Sequence, residues 1–257
     1  MISPVGGGIV DLPPFFSLSA FDTVGSTNLE ARKQADAGMP EGKIVWSRRQ
    51  EQGVGRRGRN WSSPEGNLYC SLLLRPECDP LTGATLSFLI AVALHKAISS
   101  ALPVGSDIKV KWPNDILING KKSAGILLES KTRVDGTLDY VIVGTGVNIA
   151  AYPKDTDGLP ATSIKAAGGN VTIELLLSRY AHHFLESYMI WKADGFAPIR
   201  AEWLIRAAGL GQKISVKLSD MPLEGVFSGL DETGALILTL DDGKTKRITA
   251  GEVFIVP

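Results

Sequence analysis

Two lysines and an aspartate, Lys111, Asp115 and Lys122, fall close together in the stretch spanning residues 111–129. A carboxylate and an ammonium side by side can orient one another or a ligand. They can equally be no more than a surface ion pair, which is weak. Asn119-Gly120 lies between two apolar runs and predicts a β-hairpin, because a two-residue type I′ turn needs positive φ at both central positions. With that turn Ile118 faces Lys121 and Leu117 faces Lys122. Asp115, two residues before Leu117, then leaves the sheet on the same side as Lys122. Diagonal neighbours of this kind lie roughly 7–8 Å apart, within reach of a long side chain. Pro113 can open a strand but cannot sit in its middle, so Trp112-Pro113 marks the edge of this platform.

A second polar cluster lies upstream. Arg48, Arg49, Arg56, Arg57 and Arg59 are interleaved with Gly53, Gly55 and Gly58. The glycines spell G-x-G-x-x-G, but a dinucleotide site needs a helix next. Residues 61–66 instead read as a turn, followed by a strand near residues 68–74, so that fingerprint is rejected. Glycines let a backbone approach a ligand, and successive N–H groups can form a concavity for anions. Arginine forks add bidentate phosphate recognition. A solvated basic loop and a nucleic-acid-binding arm remain the alternatives on these residues alone.

The chain of 257 residues suits one medium domain and one small one, and 44% apolar content is enough for a core. Lys and Arg number 27, as do Asp and Glu, which argues against nucleic acid as the main partner. Cys70 and Cys78 show no metal spacing, and Cys70 sits in an apolar strand, so a reducing, cytoplasmic setting is expected. Residues 1–15 lack a basic start and a sustained apolar run, so no signal peptide is expected. The apolar segment at residues 86–94 is short of the ~20 residues that cross a bilayer, and reads as a buried helix starting near Thr82. No membrane association is expected.

Thr27 and Glu30 are spaced as a capping box for a helix ending at Gly38. A second hairpin runs through Asp135-Gly136, and Gly144-Thr145-Gly146 breaks its pattern. Residues 150–170 read as a loop. Helices follow at residues 172–191 and 198–208. His182 and His183, adjacent on a helix, point about 100° apart and cannot share a metal. From Gln212 onward short alternating strands predict a small β-barrel, too small to be comfortable alone.

Taken together and in order, these motifs resemble the biotin protein ligases. The family's Gly-Arg-Gly-Arg-x-Gly-Arg-x-Trp loop is similar to residues 53–61, and its Lys-Trp-Pro-Asn-Asp motif to residues 111–115. Its Lys-x-Ala-Gly-Ile-Leu motif matches residues 122–127. Ser26-Thr27-Asn28 and residues 144–148, ending at Asn148, match two further signatures. The match covers roughly residues 20–150 and continues more weakly to the end. One departure stands out: Val54 occupies the place of the first arginine of the loop, which leaves only its backbone contacts.

The resemblance implies an α+β (α/β) fold. It has a mixed β-sheet with flanking helices, a class II aminoacyl-tRNA synthetase-like catalytic domain, and a small C-terminal SH3-like β-barrel. The expected division is an N-terminal extension at 1–15, a catalytic domain at 16–208 and the barrel at 209–257. The implied activity converts biotin and ATP, with Mg2+, to biotinyl-5′-AMP, then passes biotin to a lysine of a biotin carboxyl carrier protein. In this scheme Lys122, Arg56 and Asp115 are catalytic. Ser26, Thr27, Asn28, Gln50, Val54, Gly55, Arg56, Lys122 and Gly125 bind biotin. Arg56, Arg59, Trp61, Lys111, Asn114, Lys122 and Asn148 bind ATP. Asp115 orients Lys122, binds Mg2+ or accepts a proton, and the sequence leaves those three open. The Gly/Arg loop is expected to be mobile when empty. A helix-turn-helix needs more than the fifteen residues ahead of the match, so DNA is not expected as a partner. The family admits a homodimer. Rival readings are a lipoate or octanoate ligase, an RNA-binding module, and a non-catalytic biotin sensor made thinkable by Val54.

Overall fold

The computed structural model describes residues 10–156, 158–217 and 222–255. Residues 1–9 of the expected N-terminal extension lie outside the described residues, as do the ends of two expected barrel strands at Leu218 and Val256. Strand β1 (Ser17–Val24), helix α1 (Thr27–Asp36) and strand β2 (Lys43–Gln50) form a parallel crossover. β3 (Leu68–Leu74) follows, then helices α2 (Pro80–Ala84) and α3 (Leu86–Ser99). Four more strands come next: β4 (Ile108–Lys111), β5 (Asp115–Ile118), β6 (Lys121–Thr132) and β7 (Leu138–Val147). Together they make a seven-stranded sheet in the order β1-β2-β3-β7-β6-β5-β4, antiparallel except for β1 and β2.

Every residue of β3 is buried, which requires cover on both faces of the sheet. On one face Ala31 and Ala35 of α1 pack with Val45, Leu73 and Ile142. On the other lie α3 and α4 (Ile173–Asp194). The buried face of α4 runs Leu176, Leu177, Tyr180, Phe184, Tyr188, Trp191, the spacing of one helical stripe. Pro80–Ser99 is long and apolar enough to cross a membrane by length and composition, contrary to the shorter segment read from sequence. It comprises α2 and α3, and with 67% of its most apolar window buried inside the protein, α3 serves as the core helix of this layer.

Helix α5 (Phe196–Ile205) leads to β8 (Lys213–Lys217), β9 (Pro222–Leu230), β10 (Leu236–Thr239), β11 (Thr245–Ile248) and β12 (Glu252–Ile255). These form the SH3-like antiparallel sheet, in the order β11-β10-β9-β8-β12. The link between the sheets covers the outer edge of β4: Val110 N–H donates to the Arg206 carbonyl at 2.9 Å, and Ala208 N–H to the Val110 carbonyl at 2.8 Å. Trp112 Nε1 donates to the Gly234 carbonyl at 3.1 Å. Trp203 stands between Phe88 and Phe227, with centroids 5.4 and 6.5 Å away.

Trp112-Pro113 marks the edge of the platform as expected: Pro113 sits in the turn joining β4 to β5, where the bend needs no N–H from it. Two expectations need correction. Residues 144–146 do not break β7, which runs on to Val147 with both glycines paired in the ladder. The capping box at Thr27 does not form. Ser26 is the N-cap, its carbonyl accepting from Glu30 N–H at 3.0 Å, and the Thr27 hydroxyl is engaged elsewhere.

Gly234 tests how tightly the sheets dock. Its φ is +84°, and a β-carbon there would lie 2.4 Å from the Phe88 ring. Gly234→Ala is expected to cost about 2–4 kcal/mol in urea denaturation, from a strained left-handed residue and an overpacked ring. A loss below about 1 kcal/mol would mean that Phe88 yields freely.

Candidate active site

Local turn chemistry sets the first wall. Asn119 and Gly120 have φ of 50° and 72°, the two positive values that the I′ turn requires. Leu117 pairs with Lys122 and Ile118 with Lys121, as expected, and a bulge then places Asp115 opposite Gly125. The β4–β5 hairpin sets Lys111 opposite Asp115 from the other side. The Asp115 carboxylate therefore lies between two ammonium groups, 2.7 Å from Lys122 Nζ and 3.7 Å from Lys111 Nζ. Its Oδ1 is buried and has no aligned hydrogen bond, so the contact with Lys122 is ionic. Burial pushes the Lys111 ammonium below the usual lysine range, and the charge of Asp115 acts against that shift.

The Gly/Arg loop forms the second wall. It folds as a small hairpin: Val54 bridges Asn60, Gly55 N–H donates to the Arg59 carbonyl at 2.7 Å, and Trp61 N–H to the Gly53 carbonyl at 2.8 Å. A single 3-10 turn, Arg56–Gly58, occupies the place where a dinucleotide fold would start a helix. The loop expected to be mobile has anchors on three sides. Arg56 Nη1 donates to Asn114 Oδ1 at 3.0 Å, and Asn114 Nδ2 donates to the Ile126 carbonyl at 2.6 Å. Arg59 grips Glu252 of β12 through both terminal nitrogens, at 2.8 and 3.3 Å, and holds that carboxyl below its usual range. Trp61 rests against Gly125 and Gly146, where a β-carbon would lie 2.9 and 2.5 Å from its ring. Lys122 Nζ stands 5.5 Å from the centre of that ring, a cation–π distance. Burial lowers the Arg56 pKa, with Asp115 acting in the opposite direction.

The third wall is the start of α1. Gln50 Oε1 accepts from Thr27 N–H at 2.8 Å and from the Thr27 hydroxyl at 3.1 Å. Gln50 Nε2 donates to Ser63 Oγ, and the Ser63 hydroxyl to the Trp61 carbonyl, both at 3.0 Å. Asn28 lies against β7 at Gly144, where a β-carbon would meet its Oδ1 at 2.3 Å. Asn148 is 4% exposed, and its Nδ2 donates to the Thr162 carbonyl at 3.0 Å.

These walls enclose a cavity of about 550 Å³, within the range of small-molecule sites. Its lining holds Ser26, Thr27, Asn28, Gln50, Val54, Gly55, Arg56, Arg59, Trp61, Lys111, Asn114, Asp115, Lys122, Gly125 and Asn148. The residues that the resemblance assigns to biotin, ATP or catalysis thus all face one space. Arg48 and Arg49 do not; Arg48 lies 3.8 Å from Asp22 on the outer strand. Sequence reasoning missed Gly251 and Glu252, which the C-terminal sheet contributes, and Pro153, Asp155, Thr156, Leu159 and Ala161 from the long loop. No local signal marks these. Asp115, flanked by two ammonium groups, does not fit a metal ligand, and no group of three or more His, Cys, Asp or Glu gathers among the described residues.

A mixed sheet carrying a cation-rich cleft, with a small antiparallel sheet docked beside it, is an architecture that solved structures share. The biotin protein ligase from Aquifex aeolicus, solved with biotin and ATP, has this fold. It matches with a TM-score of 0.77 at 24% identity, over 93% of this chain and 99% of that one. In sequence, residues 21–148 match the biotin/lipoate A/B protein ligase family, and residues 209–256 match the biotin protein ligase C-terminal domain. The biotin–[acetyl-CoA-carboxylase] ligase of Paracoccus denitrificans is 42% identical over 89% of this chain and 96% of its own length. The bifunctional ligase/repressor BirA of Bacillus subtilis is 36% identical over 89% of this chain and 71% of its own. The chain belongs to the biotin/lipoate A/B protein ligase family, among its biotin protein ligases.

Gly146→Ala would force the Trp61 ring off the β7 backbone and remove one anchor of the loop. Trypsin is expected to cut after Arg56, Arg57 or Arg59 at least about fivefold faster, with the far-UV spectrum retained. An unaltered cleavage rate would mean that Asn114 and Glu252 hold the loop without the tryptophan.

Proposed function

We propose that this chain is a biotin protein ligase that activates biotin with ATP and transfers it to one lysine of a biotin carboxyl carrier protein. The observation that carries this reading is the meeting of Arg56, held by Asn114, and Lys122, held by Asp115, in one cavity. Two anions that repel one another, a carboxylate and a triphosphate, need fixed cations where their charge converges. In the first step a carboxylate oxygen of biotin attacks the α-phosphorus, and the bond to the β-phosphate breaks. Biotinyl-5′-AMP and pyrophosphate result. In the second, the neutral ε-amine of the carrier lysine attacks the acyl carbon, loses its proton, and AMP departs.

Each wall then has a task. Ser26, Thr27, Asn28 and Gln50 take the ureido ring of biotin, with Gly125 leaving room beneath Trp61. The backbone of Val54, Gly55 and Arg56 lines the path to the carboxylate, a role that needs no side chain at position 54. Arg56 and Lys122 hold the carboxylate and α-phosphate together. Arg59 meets the leaving pyrophosphate. Lys111, Asn114, Trp61 and Asn148 contact the nucleotide. Asp115 is assigned to orienting Lys122, since both its neighbours are ammonium groups. Mg2+ enters with ATP as part of the substrate. Arg56, Arg57 and Arg59 all face the cavity, so the cationic cluster serves the cleft and neither DNA nor RNA is assigned as a partner.

Purified protein with biotin and MgATP is expected to add one biotin to a carrier domain, read by intact mass. Lys122→Ala should lower biotin-dependent ATP–pyrophosphate exchange by at least about a hundredfold. Unchanged turnover would remove Lys122 from the mechanism. Biotin should support exchange far better than lipoate or octanoate; the reverse preference would move the chain to the lipoate branch of the family.

A further inference from the structure

Behind the wall formed by Ser26, Thr27 and Asn28 runs a buried chain of amide and hydroxyl groups whose direction follows from counting protons. Glu129 on β6 is acceptor-only as a carboxylate. It receives Arg32 Nη2 at 2.6 Å and Asn28 Nδ2 at 2.7 Å. That turns the amide of Asn28 so that its oxygen faces Ser71 Oγ at 2.6 Å. Ser71 is fully buried on β3, and its oxygen also lies 2.8 Å from Thr27 Oγ1. A hydroxyl has one proton and an amide oxygen has none to give. The proton of Ser71 therefore belongs to Asn28, and Ser71 meets Thr27 as an acceptor. The other partner of the Thr27 hydroxyl, Gln50 Oε1, is an acceptor as well, because it also takes the Thr27 N–H. Both protein neighbours thus draw the proton of Thr27 inward and neither supplies one. What Thr27 has left for the cavity is lone pairs.

We infer that Glu129 is a positioning residue that sets the direction of the Glu129–Asn28–Ser71–Thr27 chain, so that Thr27 presents an acceptor and selects an N–H group on the ligand. The inference rests on the biotin reading, in which that donor is an N–H of the ureido ring. Gly144 is part of the device, since only a missing β-carbon leaves room for Asn28 against β7. Glu129→Gln keeps the shape and reverses the direction. The new carbonyl faces Arg32, the new amide donates to Asn28, and Asn28 turns its Nδ2 towards Ser71. Ser71 then spends its proton on Thr27.

The test compares biotin with the two cyclic carbamate analogues in which one ring N–H is replaced by oxygen, by kcat/KM in ATP–pyrophosphate exchange. The wild-type chain is expected to prefer biotin over one of the analogues by at least about tenfold. Glu129→Gln should raise KM for biotin about tenfold, leave KM for ATP in place, and narrow that preference below about threefold. Ser71→Ala alone should keep the preference, because Thr27 still donates to Gln50. Added to Glu129→Gln, Ser71→Ala removes the misdirected proton and should restore the preference, whereas a merely structural role predicts a further loss. Full preference in Glu129→Gln, or no restoration in the double variant, would overturn the inference while the biotin reading stands. If Glu129→Gln does not fold, Ser71→Ala decides: retained preference supports the relay and lost preference overturns it. A wild-type chain without biotin-dependent exchange would overturn the biotin reading, and this inference with it.

Discussion

A carboxylate held between two ammonium groups is the contact on which the cleft depends. Asp115 lies between Lys111 and Lys122, and Arg56 reaches the neighbouring Asn114. Among the lining side chains Lys111, Lys122, Arg56 and Arg57 stand against Asp115 and Asp155 and leave two positive charges in a partly closed space, since Arg59 is matched by Glu252. Removing charge from water is costly unless a partner compensates for it. The two aspartates make the cluster tolerable without neutralising it, so an entering pair of anions completes the compensation. Burial of Lys111 and Arg56, each lowered in pKa by desolvation, strengthens every such contact, because the same low dielectric acts on ligand charges. The cleft is thus preorganised for negative charge by the backbone that holds it.

Glycine supplies the space that the charges need. Gly125 and Gly146 lie beneath Trp61, Gly144 admits Asn28, and Gly53 lets the loop pass against the Trp61 carbonyl, where a β-carbon would lie 2.4 Å away. None of these four is required by a left-handed turn; their φ values lie outside that region. Their common property is a missing side chain that lets a neighbouring group close on the backbone. The two paired positions on β7 show why a glycine inside a regular strand can signal close approach as well as a break.

What was legible in the sequence follows from whether its cause is local. The I′ turn at Asn119-Gly120 dictates its own register, so the meeting of Asp115 with Lys122 followed from residue spacing and held despite the bulge. The five C-terminal strands were legible from alternation, and α4 from its stripe. The Gly/Arg loop and the lysine hairpin were each readable, yet their closure over one space rests on Asn114 and Glu252, partners 58 and 193 residues away in the chain. The edge strand β1 was missed because its half-buried pattern is weak. The Thr27–Glu30 spacing matched a capping box, but Gln50 and Ser71 compete for the Thr27 hydroxyl, and tertiary contacts won. Ser71 did carry a signal, as a polar residue inside an otherwise apolar buried strand. Buried hydroxyls demand partners, but only the fold says which ones.

The small C-terminal sheet illustrates the same dependence from the other direction. Fewer than fifty residues cannot bury enough apolar surface to stand securely alone, and here Trp203, Phe88 and Phe227 provide the shared core. That docking places β12 at the rim of the cavity, where Glu252 meets Arg59. The loop therefore spans two sheets: Trp61 ties it to the backbone of β6 and β7, and Arg59 to the C-terminal sheet. A contact made across such a boundary is sensitive to any shift of one sheet against the other, because an arginine fork tolerates little change in angle. The aromatic interface distant from the chemistry and the charge arrangement at the cleft are therefore parts of one mechanical unit, in which the Arg59–Glu252 ion pair links the loop to the C-terminal sheet.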